Sequence, residues 1–139
     1  MTPEEFPNLF AEGWALPKSD QFLDYLLPLI DPEATFTQPM FPTARGHDQI
    51  ATLFRQLFAL LPDMTATPTR TAAQHDIVFI ESDCSATLGR KPVRFSVCDR
   101  FQIQDGKVID RRSYSDSLPL ALRTLRRPSA WPRALMARR

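Results

Sequence analysis

A carboxylate in the middle of an apolar strand face is the residue of this chain best placed to do chemistry. Between Val93 and Gln104 the side chains alternate with a period of two. Val93, Phe95, Val97, Phe101 and Ile103 share one face, and Arg94, Ser96, Cys98, Arg100, Gln102 and Gln104 share the other, the pattern of a half-buried strand. Asp99 breaks the apolar face, where a carboxylate is costly unless it is paired, hydrogen-bonded or open to a wet cavity. Asp105-Gly106 then signals a hairpin. Two registers follow. A two-residue turn sets Asp99 across from Arg112; a three-residue loop, Gln104 to Gly106 with Gly106 left-handed, sets it across from Arg111. Either register gives a carboxylate–guanidinium pair on the concave side of a hairpin, able to orient a polar ligand group or, through the carboxylate, to accept a proton.

The other reactive residue types give weaker signals. Cys84 and Cys98 lie on different strands without metal-ligand spacing, which reads as buried thiols in a reducing compartment. His47 falls at a helix N-terminus and His75 at a strand start, both read as exposed, so neither is placed to activate Cys84. No metal or cofactor is expected from this set.

The elements that position Asp99 can be read in order. Phe6, Leu9, Phe10, Gly13 and Trp14 recur at helical spacing, giving a first helix that Pro17 ends and that turns Trp14 inward. Ser19 reads as the N-cap of a second helix carrying Phe22, Leu23, Leu26 and Leu27, stopped at Pro28. Asp31-Pro32 reads as a turn into a short strand, Ala34 to Gln38. Gly46-His47-Asp48 opens a third helix with a stripe of Ile50, Leu53, Phe54, Leu57, Phe58 and Leu61, ended at Pro62-Asp63. The Thr-rich segment around Pro68 reads as an edge strand. Asp76 to Leu88 reads as a central strand with Val78, Ile80, Ser82, Cys84, Ala86 and Leu88 on one face. Strands grouped after helices predict an α+β fold: a cone-shaped roll in which a curved antiparallel sheet wraps around helices. Trp14, Phe36, Gln38, Ser82, Cys84, Val97, Asp99 and the arginine would line its pocket.

At 139 residues, with 43% apolar and 24% charged side chains, the chain suits one soluble domain. The domain is read as residues 1–117, with 118–139 as a basic C-terminal extension. After Asp116 there are six arginines and no acid, while the rest of the chain is net acidic. Without base-stacking aromatics or a recognised motif, this basic segment does not predict nucleic-acid binding. No apolar run reaches the length of a membrane span and the start is acidic, so a cytoplasmic protein is expected, with no membrane partner.

Three stretches, DPEATFTQP, GHDQIATLFRQLF and CDRFQIQDGKVIDRRSYSD, make residues 5 to 118 resemble the nuclear transport factor 2-like superfamily, and most closely its SnoaL-like branch. The resemblance implies a cone around a pocket and a homodimer packed through the outer sheet face. It also favours Arg111 over Arg112, because relatives with this turn length point the residues matching Ile109, Arg111, Ser113 and Ser115 inward, leaving Tyr114 and Asp116 outward. The catalytic positions of limonene epoxide hydrolases fall here on Cys84, Ser82, Ser113, Phe36 and Gln38, so that activity is not expected. Ketosteroid isomerases match at Asp99 and at the GRKPV turn, but their general base falls on Gln38 and their oxyanion tyrosine has no counterpart, Trp14 lying in that region. An aspartic acid serves as a hydrogen-bond donor only where an apolar site keeps it protonated, and an arginine partner favours the ionised form.

Two functional readings follow. One is a pocket that binds a small, largely apolar molecule, with Asp99 and Arg111 as the polar pair of isomerase-, polyketide cyclase- or hydratase-like acid–base chemistry and Ser113 as a further lining residue. The other is a non-catalytic binding or dimerisation module in which the pair is structural.

Overall fold

The computed structural model describes residues 1–18 and 20–115, so Ser19, Asp116 and the basic extension lie outside the described residues. Helix α1 (Phe6–Trp14) buries Phe6, Phe10, Gly13 and Trp14 along one stripe. Its free C-terminal carbonyls are met by Lys18, whose Nζ donates to Trp14 O at 2.6 Å and Leu16 O at 3.0 Å. Helix α2 (Asp20–Leu26) runs into a 3₁₀ turn (Leu27–Leu29) at Pro28. Strand β1 (Ile30–Thr37) and the two-residue β2 (Ala44–Arg45) precede the long helix α3 (Gly46–Leu60). Four strands complete the fold: β3 (Thr65–Gln74), β4 (Ile77–Leu88), β5 (Lys91–Gln104) and β6 (Lys107–Tyr114).

The six strands form one sheet in the order β2-β1-β6-β5-β4-β3. The α+β architecture is as the residue pattern indicates, but the sheet is mixed, because β1 and β6 run parallel. Strand β1 also starts earlier than expected, with Pro32 inside it. Its pairing with β6 skips from Ile30 to Thr35, and Pro32, which has no N–H to donate, sits in the skipped interval. Gly46 adopts φ +78°, and a Cβ there would lie 3.2 Å from Pro32 O, so glycine is what lets α3 leave this loop.

The register of the β5–β6 hairpin differs from both alternatives. Asp105 (φ 52°) and Gly106 (φ 77°) form a two-residue turn with both residues left-handed, and Gln104 pairs Lys107. A bulge at Ile109 then adds one residue to β6, so that Phe101 pairs Arg111 and Asp99 pairs Ser113. Neither arginine is directly opposite Asp99. Arg111 is the diagonal neighbour on the same face, within reach of a long side chain. The bulge also makes Val108, not Ile109, the buried residue at the start of β6.

On the concave side, aromatic rings run from sheet to helices and back. Phe101 packs on Phe10 at 5.3 Å between centroids, Phe10 on Trp14 at 6.2 Å, Trp14 on Phe22 at 5.1 Å, Phe22 on Phe54 at 5.2 Å and Phe54 on Phe36 at 6.3 Å. Tilted and edge-on ring pairs of this kind hold the helices to the sheet.

Candidate functional site

A cavity of about 110 Å³ remains between the helices and the concave face. It is several times the ~10–15 Å³ that one water needs. All nine residues named from the sequence (Trp14, Phe36, Gln38, Ser82, Cys84, Val97, Asp99, Arg111 and Ser113) stand on its wall. The periodicity explains why: β4 turns Ser82 and Cys84 inward with Val78 and Ile80, while β5 turns Val97 and Asp99 inward with Phe101. Most of the remaining wall is apolar, including Leu26, Met40, Phe41, Leu57 and Met64.

Asp99 is 4% exposed. Arg111 donates from Nε to Asp99 Oδ1 at 3.1 Å, and its Nη2 lies 3.1 Å from the same oxygen. Among the described residues Oδ2 has no hydrogen-bond partner. The arginine is itself held on two further sides. Its Nη1 donates to Gln38 Oε1 at 3.2 Å, and its guanidinium carbon lies 5.2 Å from the centre of the Phe36 ring. Gln38 Nε2 donates to Pro42 O at 2.8 Å and Phe41 O at 3.3 Å, which fixes the amide so that its oxygen faces Arg111. Thus a chain of contacts runs from the 41–42 loop through Gln38 and Arg111 to one oxygen of Asp99.

Both thiols are held toward their protonated form. Burial pushes Cys84 up to about 12, with the charges of Asp99 and Asp83 adding to the effect. Cys98, on the convex face, is also raised, by burial first and then by Asp99 and Glu81. His75 is exposed, but His47 is half-buried: its Nε2 donates to Ile30 O at 2.7 Å, tying α3 to the start of β1. No group of three or more potential metal ligands occurs among the described residues, and no helix among them is long and apolar enough to cross a membrane. The loop residues Met40 and Phe41 have no periodic signal in the sequence, and only the bracketing Pro39 and Pro42 hint at a constrained segment.

The fold has solved counterparts. A protein with a ketosteroid isomerase-like fold from Catenulispora acidiphila DSM 44928, solved with trimethylamine, superposes with a TM-score of 0.75 at 19% identity, covering 94% of this chain and 98% of that one. A SnoaL-like candidate polyketide cyclase from Jannaschia sp. CCS1 gives a TM-score of 0.73 at 19% identity, over 87% of this chain and 93% of the other. IdmH from Streptomyces antibioticus, a candidate polyketide cyclase, gives 0.72 at 20% identity, over 90% and 99%. No curated protein shows significant sequence similarity. The family profile of the SnoaL-like domain matches residues 8–111, which runs from within α1 into β6 and covers every wall residue named above except Ser113. With its helices, mixed curved sheet and apolar cone, the chain belongs to the SnoaL-like family of the nuclear transport factor 2-like superfamily.

Proposed function

We propose that the cone binds a small, largely apolar molecule and performs proton transfer of the isomerase or cyclase type next to a carbonyl group, with Asp99 as the base. The observation that carries this reading is the one-sided pairing of Asp99. A carboxylate at the wall of an apolar cavity has both arginine contacts on Oδ1, and Oδ2 is without a partner among the described residues. Arg111 sets a positive charge 3.1 Å from the carboxylate, and the Gln38 and Phe36 contacts keep the guanidinium from swinging away.

In an isomerisation, Oδ2 takes a proton from the carbon beside the carbonyl, an enolate forms, and the proton returns at a different carbon of the same molecule. In a cyclisation, the enolate carbon attacks a second carbonyl of that molecule to form a carbon–carbon bond, and the resulting alkoxide takes the proton back from Asp99. Neither route consumes a cofactor or metal.

The proposed working form is a cytoplasmic homodimer packed through the convex sheet face, without nucleic-acid or membrane partners. Phe79 and Tyr114, 43% and 47% exposed, support that face as the contact.

The experiment is exchange of the α-protons of 2-tetralone in deuterated buffer, followed by proton NMR. The protein should accelerate exchange over buffer, and Asp99→Asn should lower that acceleration by about 10²-fold or more. Equal acceleration by the two proteins would overturn the assignment of Asp99. The same result favours the second reading, a purely structural pair, which the multiple anchoring of Arg111 makes the natural competitor.

A further inference from the structure

Two polar atoms on the cavity wall have no hydrogen-bond partner among the described residues: Trp14 Nε1 and Ser82 Oγ. They are not surface groups whose partner is bulk water, since Trp14 is 7% exposed and Ser82 1%. A buried donor or hydroxyl left without a partner is costly, and such atoms are rare in folded proteins, each calling for a ligand, a water or a catalytic role to account for it. Trp14 can only donate; Ser82 can donate or accept.

The placement of the two residues is specific. Ser82 pairs with Val97 across β4 and β5, while Asp99 pairs with Ile80, so Ser82 is the diagonal neighbour of Asp99 on the concave face. Trp14 is fixed by α1 and by edge-on contacts with Phe10, Phe22 and Phe58. Lys18 binds the Trp14 carbonyl and holds its ammonium 5.5 Å from the ring centre, so neither ring nor backbone is loose. A rigid neutral donor on the helix side and a neutral hydroxyl on the sheet side, diagonal to the Asp99 carboxyl, suit a carbonyl oxygen better than an anion.

We propose that Trp14 and Ser82 form the polar subsite of the cavity, and that its ligands are aromatic or alicyclic ketones whose carbonyl oxygen receives the Trp14 indole N–H, with Ser82 as the sheet-side contact. This rests on the reading of the cone as a ligand pocket and adds the class of ligand. It also makes Trp14 a residue that selects for oxygen, where an aromatic residue at helical spacing would otherwise be packing alone.

The test uses two probes of nearly one shape, acetophenone and α-methylstyrene, which differ by C=O against C=CH₂. Affinities are measured by titration of the full chain, and the indole N–H resonances are followed by ¹⁵N NMR, with Trp131→Phe assigning the Trp14 signal. Acetophenone should move the Trp14 N–H downfield while α-methylstyrene does not. The ratio of the two affinities should shift by about 3- to 10-fold against acetophenone in Trp14→Phe, and by a smaller factor in Ser82→Ala, as expected for loss of one neutral hydrogen bond. Comparing ratios cancels the different solubilities of the probes. Because the resonance shift is read on a chain with Trp14 intact, the proposal stays testable if Trp14→Phe folds poorly. Both probes binding with an unchanged ratio and equal resonance shifts would overturn the subsite and leave the pocket reading standing. Neither probe binding at millimolar concentration would overturn both.

Discussion

Replacing Asp99 by asparagine keeps an acceptor oxygen in place but leaves Arg111 charged without a counter-ion. The two side chains are 6% and 13% exposed and 3.1 Å apart, so little water can take over. At an effective dielectric constant of about 20, two unit charges at this distance attract by about 5 kcal/mol. The desolvation of both ions offsets most of that, so the pair contributes little net stability, whereas breaking it costs about 3–5 kcal/mol. Asp99→Asn should therefore sit near the low end of that range. Arg111→Met should sit near the high end, because Gln38 Oε1 also loses its donor. The double variant removes both charges and should cost only about 1–2 kcal/mol, giving a coupling of about 3 kcal/mol or more. Urea unfolding followed by tryptophan fluorescence measures all four proteins. Additivity within about 0.5 kcal/mol would refute the pair as an energetic unit. The cycle also separates stability from chemistry: the double variant regains most of the stability and none of the tetralone exchange. If exchange returned with stability, Asp99 would be an architectural residue and not the base.

Gln38→Leu removes the link between Arg111 and the 41–42 carbonyls, and should lower unfolding free energy by about 2 kcal/mol and make the Met40–Thr43 loop more sensitive to protease. An unchanged urea midpoint and digestion pattern would refute the clamp. At pH 8 an uncharged maleimide should label Cys98 before Cys84, with Cys84 reacting only as the chain unfolds; mass spectrometry after tryptic digestion reads the order. Folded Cys84 keeps its proton to about 12, against an ordinary value of 9.0. Unfolding therefore releases a proton across that interval, and stability falls as pH rises from 9 toward 12. Urea titrations of the native protein and Cys84→Ala should diverge there by up to about 1.4 kcal/mol per pH unit; parallel curves would refute the burial of the thiol. Deleting Ile109 takes out only the bulged residue, so Asp99 should still pair with Ser113 and keep Arg111 on its face. Loss of the Asp99–Arg111 coupling in that background would show that the bulge is not where β6 gains its extra residue.

The last of these bears on how much of the site could be read from the chain. Which side chains face the cavity depends on parity along a strand, and a charge on the apolar parity of β5 is visible without any structure. Parity survives a register error of two. The three-residue loop and the observed turn-plus-bulge differ by that amount, so the inward choice of Arg111 holds although the expected pairing of Asp99 with Arg111 does not. A bulge has no composition of its own in KVIDRR, where every residue is a strand former or a charged side chain of the kind common on strands. The parallel pairing of β1 with β6 was equally hidden, since it joins segments more than seventy residues apart and leaves no local mark. His47 is the same case on the helix side: a polar residue after glycine reads as a solvated helix start, and its acceptor, Ile30 O, lies seventeen residues away. Trp14 divides along this line too. Helical spacing places its ring inside, but that its N–H finds no partner among the described residues depends on the packing of α2 and α3 around it. Local pattern therefore locates the wall of the cone, while the hydrogen-bonding state of each wall atom, which decides what the cavity can hold, is a property of the assembled fold.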